Sequence, residues 1–478
     1  MQAFNPYLPS WEYIPDAEPY VYGDRVYIYG SHDRFNAPIF CVKDYVCWSA
    51  PLDDLSNWTC SGVIFSKRQD PANKSGMHLL FAPDVTQGPD GRFYLYYAFD
   101  FLGLMGVAVC DTPDGHYEFL GHVHYKDGTP FGRRKGDEFP FDPGVLVDDD
   151  GRVYLYSGFA TKVPFLLSGM KNLKNSGGVV LELEPDMVTI RQEPKLLFPR
   201  YGNDAPAAFK GHEFFEASSI RKIDGKYVFV YSSANNHDLC YAISDYPDKG
   251  FRYGGTLVDI GDLYLDDRTD ESHALNYLGN THGGMVELNG QWYIFYHRHT
   301  NQHSYSRQAC AEPLQRDAEG RFLQAEVTSC GLNGGPLIGQ GEYEARIACN
   351  LWSKEGTARY DQSFPKKLHP YFTQNGKDGD QTAVQYIANM RDGSVAGFKY
   401  FSFDQVSSIR LAVGGKCSGS VEISDRSDFA NIVAVVPLGT VHGMTNACAP
   451  LSLESGVKPL YFRFVGQGAM DFYAFEIS

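Results

Sequence analysis

The sequence lacks any apolar run close to the roughly 20 residues that a bilayer-spanning helix needs. Residues 1–6 (MQAFNP) contain neither the basic segment nor the apolar segment of a secretory signal. The ten cysteines are scattered and show no pairs at metal-ligand spacing. We therefore expect a cytoplasmic protein with reduced thiols and no membrane partner, or a secreted or periplasmic one if a leader has been removed.

Positive charge and helical periodicity are also scarce. Lys and Arg number 42 against 58 Asp and Glu, which gives a formal net charge of −16. This balance argues against nucleic acid as a partner, because binding to phosphates requires a cationic surface. Aromatic residues make up 14% of the chain, and many of the 32 tyrosines alternate with their neighbours as in strands. The chain is therefore predicted to be all-β.

What the sequence does contain is a repeated hairpin pattern. In each copy a polar residue opens a short apolar run, a tight turn with Gly and Asp or Asn follows, and an aromatic strand comes next. Five copies, spaced about 60 to 75 residues apart, predict a five-bladed β-propeller with one blade per repeat. If each innermost strand begins near the axis, the opening side chains converge on one small region. These side chains belong to Asp16, Asp84, Asp142, Glu216 and His282.

Converging carboxyl groups point to a function. A single Asp at a strand start is commonly a turn former, but several at one repeat position repel each other and usually persist for function. Without a metal-ligand cluster, a phosphate loop or a nucleophile elbow, paired carboxyls fit glycoside hydrolysis by a general acid and a general base. Glu213 and Glu216 are both candidates for the acid. Glu216 is preferred, since its spacing to Gly225 equals that of Asp142 to Gly151.

Other residues near the predicted axis are candidates for substrate binding. His32 and Asp33 lie in a polar and aromatic loop that follows the first blade, with an ordinary surface turn as the alternative. The ring of Phe81 stacks on a sugar or fills the core. Arg307 supplies a fixed cation, which lowers the pKa of nearby carboxyls and bonds a sugar hydroxyl. The two histidines of His297-Arg298-His299 share one face of a strand and are expected to be structural.

Several of these motifs occur together in one known family. They are Pro15-Asp16, Phe141-Asp142-Pro143-Gly144-Val145, Glu216, His282 and Ser306-Arg307-Gln308. Over roughly residues 1–330 the chain thereby resembles glycoside hydrolase family 43, which implies a five-bladed propeller that inverts the anomeric configuration. The resemblance implies that Asp16 is the general base, that Glu216 is the general acid, and that Asp142 orients Glu216 and raises its pKa. The base and acid carboxyls of an inverting enzyme stand roughly 6.5 to 9.5 Å apart.

The resemblance also bears on the rest of the pocket. It implies that Arg307 contacts the sugar that is cleaved off, and that His282 lies at the axis beneath this sugar, beside water or a structural calcium ion. No cofactor is implied for the reaction. Phe81 stands where many family members have Trp, and Ala217-Ser218 replaces the usual Gly-Pro after the acid. Both departures concern the pocket wall, so they affect the identity of the sugar more than the reaction.

A second domain is predicted after the propeller of residues 1–330. Residues 331–341 form a Gly-rich linker, and the hairpin repeat stops beyond it. Residues 342–478 alternate short β runs with turns and are predicted to form a β-sandwich of jelly-roll type. Stretches 386–401 and 470–473 resemble carbohydrate-binding module family 6. A structural role is favoured over glycan binding, since a cytoplasmic enzyme has no insoluble polymer to hold.

The resulting hypothesis is an exo-acting glycosidase that removes terminal α-L-arabinofuranosyl or β-D-xylosyl residues from plant-derived oligosaccharides. Alternatives are an endo-arabinanase, another activity such as a galactosidase, and a non-catalytic sugar-binding propeller. A long irregular stretch is expected between the third and fourth repeats, over about residues 161–211. The endo-acting alternative is disfavoured because the long loops between repeats are expected to close one end of a groove into a pocket. A fructan-active propeller is expected to carry an Asn-Asp-Pro-Asn-Gly type motif near its N-terminus, which residues 14–19 (IPDAEP) do not match.

Overall fold

The computed structural model describes residues 2–161, 173–199, 206–360 and 366–478. None of the described helices is long and apolar enough to cross a membrane. All six helical elements in these ranges are 3₁₀ turns of three residues, at Pro71–Asn73, Ala207–Phe209, Glu271–His273, Gly331–Asn333, Ala345–Ile347 and Lys366–Leu368. The remaining regular structure is strand, and the all-β prediction is confirmed.

Five antiparallel sheets follow one another along the first two thirds of the chain, and in each the strands pair in sequence order. Blade 1 contains β1 (Glu18–Tyr22), β2 (Arg25–Tyr29), β3 (Tyr45–Pro51) and β4 (Thr59–Phe65). Blade 2 contains β5 (Asp84–Gln87), β6 (Phe93–Ala98), β7 (Met105–Cys110) and β8 (Glu118–His122). Blade 3 contains β9 (Gly144–Val147), β10 (Val153–Ser157), β11 (Gly177–Leu183) and β12 (Ile190–Pro199).

Blade 4 contains β13 (Phe214–Ile223), β14 (Lys226–Ser233), β15 (Asp238–Ser244) and β16 (Arg252–Asp259). Blade 5 has three strands, β17 (Met285–Leu288), β18 (Gln291–Thr300) and β19 (His303–Pro313). The predicted five-bladed propeller is confirmed. The expectation of an irregular stretch over residues 161–211 was wrong for residues 177–199, which contain β11 and β12, while residues 162–172 and 200–205 lie outside the described residues. The buried apolar run of β11 completes blade 3.

The predicted tight turns join the first two strands of each blade. In blade 4 the hairpin register ends at Ile223 opposite Lys226, so Asp224 and Gly225 form a two-residue loop. Both loop residues have positive φ, 51° and 75°. This is the type I′ geometry, whose twist matches that of the flanking strands and which Asp-Gly favours. The recurring Gly-containing turns are therefore hairpin turns, as the repeat indicated.

The ring closes between the first and last blades. Ala17 and Gly283, which precede β1 and β17, form a parallel bridge. The N-terminal segment runs beside β19, where the Tyr7 N–H donates to the Ala309 carbonyl at 3.3 Å. The chain start thereby covers the free edge of the three-stranded blade, which removes an exposed edge.

Apolar side chains fill the space between neighbouring blades in five clusters. Between blades 3 and 4 the ring of Phe198 stacks on Phe229 at 4.7 Å and on Tyr231 at 5.9 Å. Each buried aromatic ring removes a large apolar area from water, which is the main favourable contribution to folding. The aromatic alternation seen in the sequence is therefore blade-to-blade packing.

The C-terminal strands form one curled sheet of ten strands. Its two longest strands, β26 and β29, pair antiparallel from Ile409 opposite Ile477 to Ser424 opposite Tyr461. Phe398, Phe462 and Phe475 meet in its core, with ring centroids 4.9 to 5.2 Å apart. The strands are β20 (Leu337–Ile338), β21 (Gly341–Glu344), β22 (Asn350–Trp352), β23 (Tyr371–Gln374), β24 (Gln385–Met390), β25 (Val395–Phe403), β26 (Ser408–Ser424), β27 (Ile432–His442), β28 (Thr445–Pro450) and β29 (Gly456–Ile477).

The C-terminal sheet is docked on the propeller through buried polar contacts. Lys399 in β25 forms ion pairs with Asp262 at 2.8 Å and Glu326 at 2.9 Å, and its side chain is 1% exposed. The Arg298 guanidinium lies 3.8 Å from the ring centroid of Phe372. The segment predicted as a linker, residues 331–341, contains β20, which pairs with β25. The domain boundaries at 330 and 341 stay predictions from sequence.

Candidate active site

Three of the predicted site residues stand at the starts of innermost strands. Asp16 and Asp142 lie two residues before β1 and β9, with φ of 59° and 43°, and Ala217, next to Glu216, has φ of 71°. Such left-handed conformations cost about 1 kcal/mol or more for a residue with a side chain, and they cluster at active sites. The backbone is thus specially shaped at all three candidate positions.

Glu216 lies in an irregular part of β13. The register with β14 shifts between Phe214 and Glu216, and again between Glu216 and Ser219. Bulges of this kind re-aim side chains beside active sites. In the second bulge the Ala217 N–H donates to Oδ2 of Asp142 at 3.0 Å. This bond fixes the backbone that carries Glu216 against the Asp142 carboxyl.

Glu213, the other candidate for the acid, is engaged elsewhere. Its Oε2 atom accepts a hydrogen bond from the Gly211 N–H at 3.1 Å. Its backbone carbonyl accepts one from Ala234 at 2.8 Å. These contacts hold the segment before β13 to the end of β14, and they give Glu213 a structural role.

The three carboxyls influence one another's protonation. Burial, followed by repulsion from Asp16, raises the pKa of Glu216 to about 8. Burial, followed by repulsion from Glu216 and Asp16, raises the pKa of Asp142 well above its usual range. The protons of Asp142 and Glu216 therefore leave in two coupled steps that belong to the pair. At neutral pH this pair retains a proton, which a general acid requires.

Asp16 is the carboxylate of this group that contacts a cation. Nη1 of Arg307 donates to Asp16 Oδ1 at 3.0 Å. Burial raises the pKa of Asp16, and the Arg307 guanidinium opposes that rise. The Asp16 N–H donates to Nδ1 of His297 at 3.3 Å, while His297 Nε2 contacts the Asn280 carbonyl at 2.8 Å. His297, expected to be merely structural, therefore holds the backbone of Asp16.

Arg307 is in turn held by Asp33. Nε donates to Asp33 Oδ2 at 2.8 Å and Nη2 to Asp33 Oδ1 at 3.1 Å, a two-bonded contact in which both side chains are buried. The Cys41 N–H also donates to Asp33 Oδ1, at 2.9 Å. The guanidinium lies 4.8 Å from the ring centroid of Phe40. Both oxygens of Asp33 have internal donors, so we assign it to positioning Arg307 and not to sugar contact.

His32 likewise has internal partners. Its Nδ1 atom contacts the Asp44 carbonyl at 2.9 Å, and its Nε2 atom contacts Oε1 of Glu12 at 3.0 Å. The Trp48 indole N–H donates to the other oxygen of Glu12 at 3.0 Å. Both ring nitrogens are thus used within blade 1. We assign His32 to the support of the loop that carries Asp33.

Asp84 lies one layer deeper along the axis than the repeat suggested. It pairs with Tyr96 in β6, as Glu18 pairs with Tyr29 in β2. Asp84 is thus the counterpart of Glu18, which follows Asp16 by two residues. Side chains two residues apart on a strand point to the same side of the sheet. Asp84 therefore points to the same side as Asp16 and Asp142, but it lies two residues further along its strand than they do.

The deeper layer is a network of its own. Asp84 Oδ2 accepts from the Val145 N–H at 2.6 Å, and Oδ1 accepts from the Tyr20 hydroxyl at 2.7 Å. Arg221 forms an ion pair with Glu18 at 2.9 Å and donates to the Tyr20 hydroxyl at 3.1 Å. Burial, followed by repulsion from Glu18, raises the pKa of Asp84 to about 7. We therefore assign Asp84 to the propeller axis and not to substrate binding.

Phe81 belongs to a row of aromatic rings beside the carboxyls. It is partly exposed, and its ring centroid lies 5.3 Å from that of Phe141 and 6.4 Å from that of Phe40. Phe40 also packs edge-on against Tyr305 at 4.7 Å. Phe141 adjoins Asp142 in sequence and Phe40 packs on Arg307, so the row runs along the acid–base group. Phe81 as a stacking platform for a sugar stays a prediction.

His282 contacts the carboxyl group at the axis. Its Nδ1 atom lies 3.5 Å from Asp142 Oδ2, and burial, together with Arg307, lowers its pKa to about 3, so the imidazole is neutral. Calcium takes about six to eight oxygen ligands. His282 belongs to no group of three or more metal-ligating side chains within the described residues. A calcium ion here stays a prediction that depends on water ligands, and no step below uses one.

Some residues of the site were missed from the sequence. Glu18 could have been found, because it stands two residues after Asp16 and therefore on the same side of the strand. Arg221 carried a weaker signal, since the bulges in β13 obscure its facing. Phe40 and Cys41 gave none, because their contact with Arg307 joins residues more than 260 positions apart.

Together, a five-bladed propeller and three coupled carboxyls at its inner strand starts define a glycoside hydrolase of the acid–base class. The model of glycosyl hydrolases family 43 matches residues 11–322. The chain therefore belongs to glycosyl hydrolases family 43, as the motifs indicated.

Similar proteins extend over both parts of the chain. A xylosidase/arabinosidase of Thermoclostridium stercorarium is 48% identical over 478 residues, covering 100% of this chain and 99% of the relative. A family 43 arabinoxylan arabinofuranohydrolase from Bacillus subtilis, solved with cellotetraose, shares the fold with a TM-score of 0.51 and 20% identity. The match covers 99% of this chain and 97% of that structure. A β-xylosidase/α-arabinofuranosidase from a compost metagenome, solved with xylotriose, has a TM-score of 0.50 and 25% identity, and the match covers 66% of this chain and 94% of that structure.

Proposed function

We propose that this family 43 enzyme is an inverting, exo-acting glycosidase that releases terminal α-L-arabinofuranosyl or β-D-xylosyl residues from plant-derived oligosaccharides. One observation carries the proposal. Within a single buried group, the Asp16 carboxylate is paired with Arg307, while the Glu216 carboxyl has a pKa raised to about 8. Burial raises the pKa of both carboxyls, but only Asp16 has the guanidinium contact that favours its ionised form, and such a difference separates a general base from a general acid.

In the proposed reaction, protonated Glu216 gives its proton to the glycosidic oxygen as the bond to the anomeric carbon breaks. Asp16 takes a proton from a water molecule, whose oxygen attacks that carbon from the opposite face. The sugar leaves with inverted configuration, Glu216 is left ionised and Asp16 protonated, and exchange with solvent restores both. Because the water must fit between the two carboxyls, their separation decides between inversion and retention.

Asp142 assists Glu216 in two ways. Its hydrogen bond from the Ala217 N–H fixes the backbone beside the acid. Its repulsion with Glu216 keeps a proton on the pair at neutral pH. Arg307 has the opposite effect at the base, because its guanidinium favours the ionised form of Asp16. We infer that Arg307 also contacts the sugar that is cleaved off, because its guanidinium lies beside the proposed base.

The choice of sugar rests on the relatives and on the aromatic row. The 48% identical relative is called a xylosidase/arabinosidase, and its similarity extends through the C-terminal sheet. Terminal arabinofuranosyl and xylosyl groups present similar hydroxyl arrangements, so one pocket can accept both. Phe81 supplies a smaller stacking surface than the Trp of many family members, which suits a small pentose.

The proposal includes the C-terminal sheet and the location. We infer that this sheet is a jelly roll like carbohydrate-binding module family 6 with a structural role, since buried ion pairs of Lys399 tie it to the propeller. A cytoplasmic location, with imported oligosaccharides as substrates, is supported by ten cysteines that form no disulfide. Glycan binding by the isolated sheet would argue against the structural role.

The test compares the enzyme with Glu216→Gln and Asp16→Asn on 4-nitrophenyl α-L-arabinofuranoside, 4-nitrophenyl β-D-xyloside and xylobiose. Loss of the acid should cost about 10² to 10⁴-fold on xylobiose and less on the nitrophenyl glycosides, whose leaving group needs little protonation. Loss of the base should reduce all three about equally. Proton NMR of the first product should show the inverted anomer.

Each alternative predicts a different result. A non-catalytic sugar-binding propeller gives no hydrolysis by the folded wild-type protein and no effect of either substitution. An endo-arabinanase cuts linear arabinan internally and releases little monosaccharide, and a galactosidase acts on a galactoside instead. A retained anomer would refute the inverting mechanism and leave the hydrolase assignment standing.

A further inference from the structure

Blade 4 contains a second group of polar side chains, separate from the acid–base carboxyls. His212 precedes β13, and Asp238 and Cys240 lie two residues apart on β15, so their side chains share one face. In the described ranges they are the one set of three His, Cys, Asp or Glu residues whose ligating atoms all lie within 4.8 Å of one another. Asp238 and Cys240 are buried, and the His212 side chain is 24% exposed, so the group is open to solvent on one side.

The three atoms form a nearly equilateral triangle. Cys240 Sγ lies 3.5 Å from Asp238 Oδ2 and 3.7 Å from His212 Nδ1, and the latter two atoms are 3.6 Å apart. A nitrogen–oxygen distance of 3.6 Å is too long for a hydrogen bond. In the same blade, by contrast, His237 Nδ1 and Asp259 Oδ2 lie 2.6 Å apart, within hydrogen-bond distance. The His212–Asp238 pair is thus held open, with the thiol as its third corner.

This spacing matches the corners of a tetrahedral zinc site. Zinc binds sulfur at about 2.3 Å and nitrogen or oxygen at about 2.0 to 2.2 Å, which at tetrahedral angles separates the ligand atoms by roughly 3.3 to 3.6 Å. We propose that His212 Nδ1, Asp238 Oδ2 and Cys240 Sγ bind a zinc ion. On binding, the thiol gives its proton to solvent, and the thiolate and the carboxylate together balance the two positive charges of zinc.

Neighbouring side chains orient these ligands. The Ser233 hydroxyl donates to Asp238 Oδ1 at 2.5 Å, while Oδ2 lies in the group and also accepts a long hydrogen bond from Asn235 Nδ2 at 3.4 Å. The Tyr253 ring stacks on the His212 imidazole, with centroids 4.8 Å apart and an interplanar angle of 14°. Such outer contacts fix ligand orientation in metal sites. The Thr256 hydroxyl lies 3.7 Å from Cys240 Sγ, which makes it a candidate for the fourth position.

The site connects two strands of the blade that carries Glu216. His212 stands at the entrance to β13, four residues before Glu216, and the Tyr231 hydroxyl of β14 donates to its carbonyl at 2.7 Å. A bound zinc ion would link the segment before β13, through His212, to β15. If Glu216 is the acid, as proposed above, the metal supports the strand that carries it without contacting substrate.

The test measures zinc in the purified full-length protein by mass spectrometry, after incubation with zinc sulfate under reducing conditions and removal of free metal. The wild type should retain about one zinc per chain, and His212→Gln and Cys240→Ala far less. Cys47→Ala, which removes a buried thiol from blade 1, is the matched control and should retain it. Zinc should raise the Tm of the wild type and of Cys47→Ala only, and cobalt should give a thiolate charge-transfer absorption that Cys240→Ala lacks.

A wild type that retains no zinc would overturn the proposal, and so would His212→Gln and Cys240→Ala proteins that retain as much as the wild type. If Cys240→Ala fails to fold, the partly exposed His212→Gln substitution decides the matter. The measurement uses no substrate, so its failure is independent of the hydrolase assignment. Conversely, an inactive protein that binds zinc would contradict only the proposed function.

Discussion

Substitution of Asp33 by Asn is the sharpest test of how the base is held. Asp33 accepts bonds from Arg307 Nε at 2.8 Å and Nη2 at 3.1 Å, and the two side chains are 0% and 3% exposed. Asn has a single oxygen, so its amide NH₂ would face one of the Arg307 or Cys41 N–H donors. Breaking a buried pair from one side costs about 3 to 5 kcal/mol of unfolding free energy. We expect a loss near the lower figure, because Asn keeps the shape.

The same substitution should reduce activity through Arg307. Without both hydrogen bonds to Asp33, the Arg307 guanidinium is free to shift relative to Asp16. Misplacement by about 1 Å in an active site costs up to about 10²-fold in rate. The substitution also removes the negative charge of Asp33, so the positive charge of Arg307 then pairs with Asp16 alone. The acidic limb of the kcat/KM profile, which reports ionisation of the base, should therefore move to lower pH.

Asp70→Asn is the matched control. Asp70 is equally buried and accepts from His122 at 2.9 Å and from Tyr97 at 2.7 Å, in blade 2. It should lower the Tm comparably while leaving the pH profile of kcat/KM in place. An Asp33→Asn enzyme with wild-type kcat/KM and an unmoved acidic limb would refute the reasoning that Asp33 acts on the base through Arg307.

Three further predictions follow from the site. Glu216, with its pKa raised from 4.5 to about 8, binds more protons folded than unfolded between these values, so it lowers stability as pH rises through that window. Glu216→Gln should therefore exceed the wild type in Tm by an amount that grows from pH 4.5 to 8 and then levels off, and a constant difference would contradict this. Ala217→Gly relieves a φ of 71°, which suits glycine, but also removes a buried methyl group, so the net change in chemical denaturation should stay within about 1 kcal/mol, and a loss of several kcal/mol would contradict this balance. Asp378→Ala removes an acceptor for the Phe35 N–H at 2.8 Å and an ion pair with Lys43 at 2.9 Å. These contacts hold the loop that carries Asp33, Phe40 and Cys41 beside Arg307, so kcat/KM should fall severalfold with little loss of Tm. Asp380→Ala, on the same loop as Asp378, is the control that should leave kcat/KM unchanged.

The sequence was sufficient for the repeat because its signals are local. A hairpin needs a turn residue with positive φ and two alternating strands, and Asp224-Gly225 and Asn289-Gly290 supply both within a dozen residues. The stretch 161–211 was misjudged for the same reason. Its strands β11 and β12 are joined to β10 across residues 162–172, so no tight turn marked their start.

The depth of each carboxyl along the axis was harder to predict. The turn in blade 1 has two residues, from Tyr22 to Arg25, whereas that in blade 2 has five, from Gln87 to Phe93. Counting from the turn therefore misaligns the blades unless the strand register is known. Counting from the paired tyrosine of the second strand would have placed Asp84 with Glu18.

Contacts between distant residues explain what no pattern could show. Asp378 in the C-terminal domain bonds to Phe35, and Cys41 to Arg307, across more than 260 positions in each case. The bulges that aim Glu216 also depend on the partner strand, since register is a property of a pair. Sequence patterns therefore predicted a candidate acid and base but not the contacts that support them.

The placement of two arginines is the basis of the division of roles that we propose among the axial carboxyls. Arg307 pairs with Asp16, and Arg221 pairs with Glu18 one layer below. Among the described residues, no Lys or Arg lies within ion-pair distance of Asp142 or Glu216. A guanidinium opposes the rise in pKa that burial causes in a neighbouring carboxyl, whereas buried carboxyls without one lack this opposition. In the proposed mechanism, a propeller that brings like strands together at its axis thus obtains an acid and a base from similar residues, according to which of them lies beside a cation.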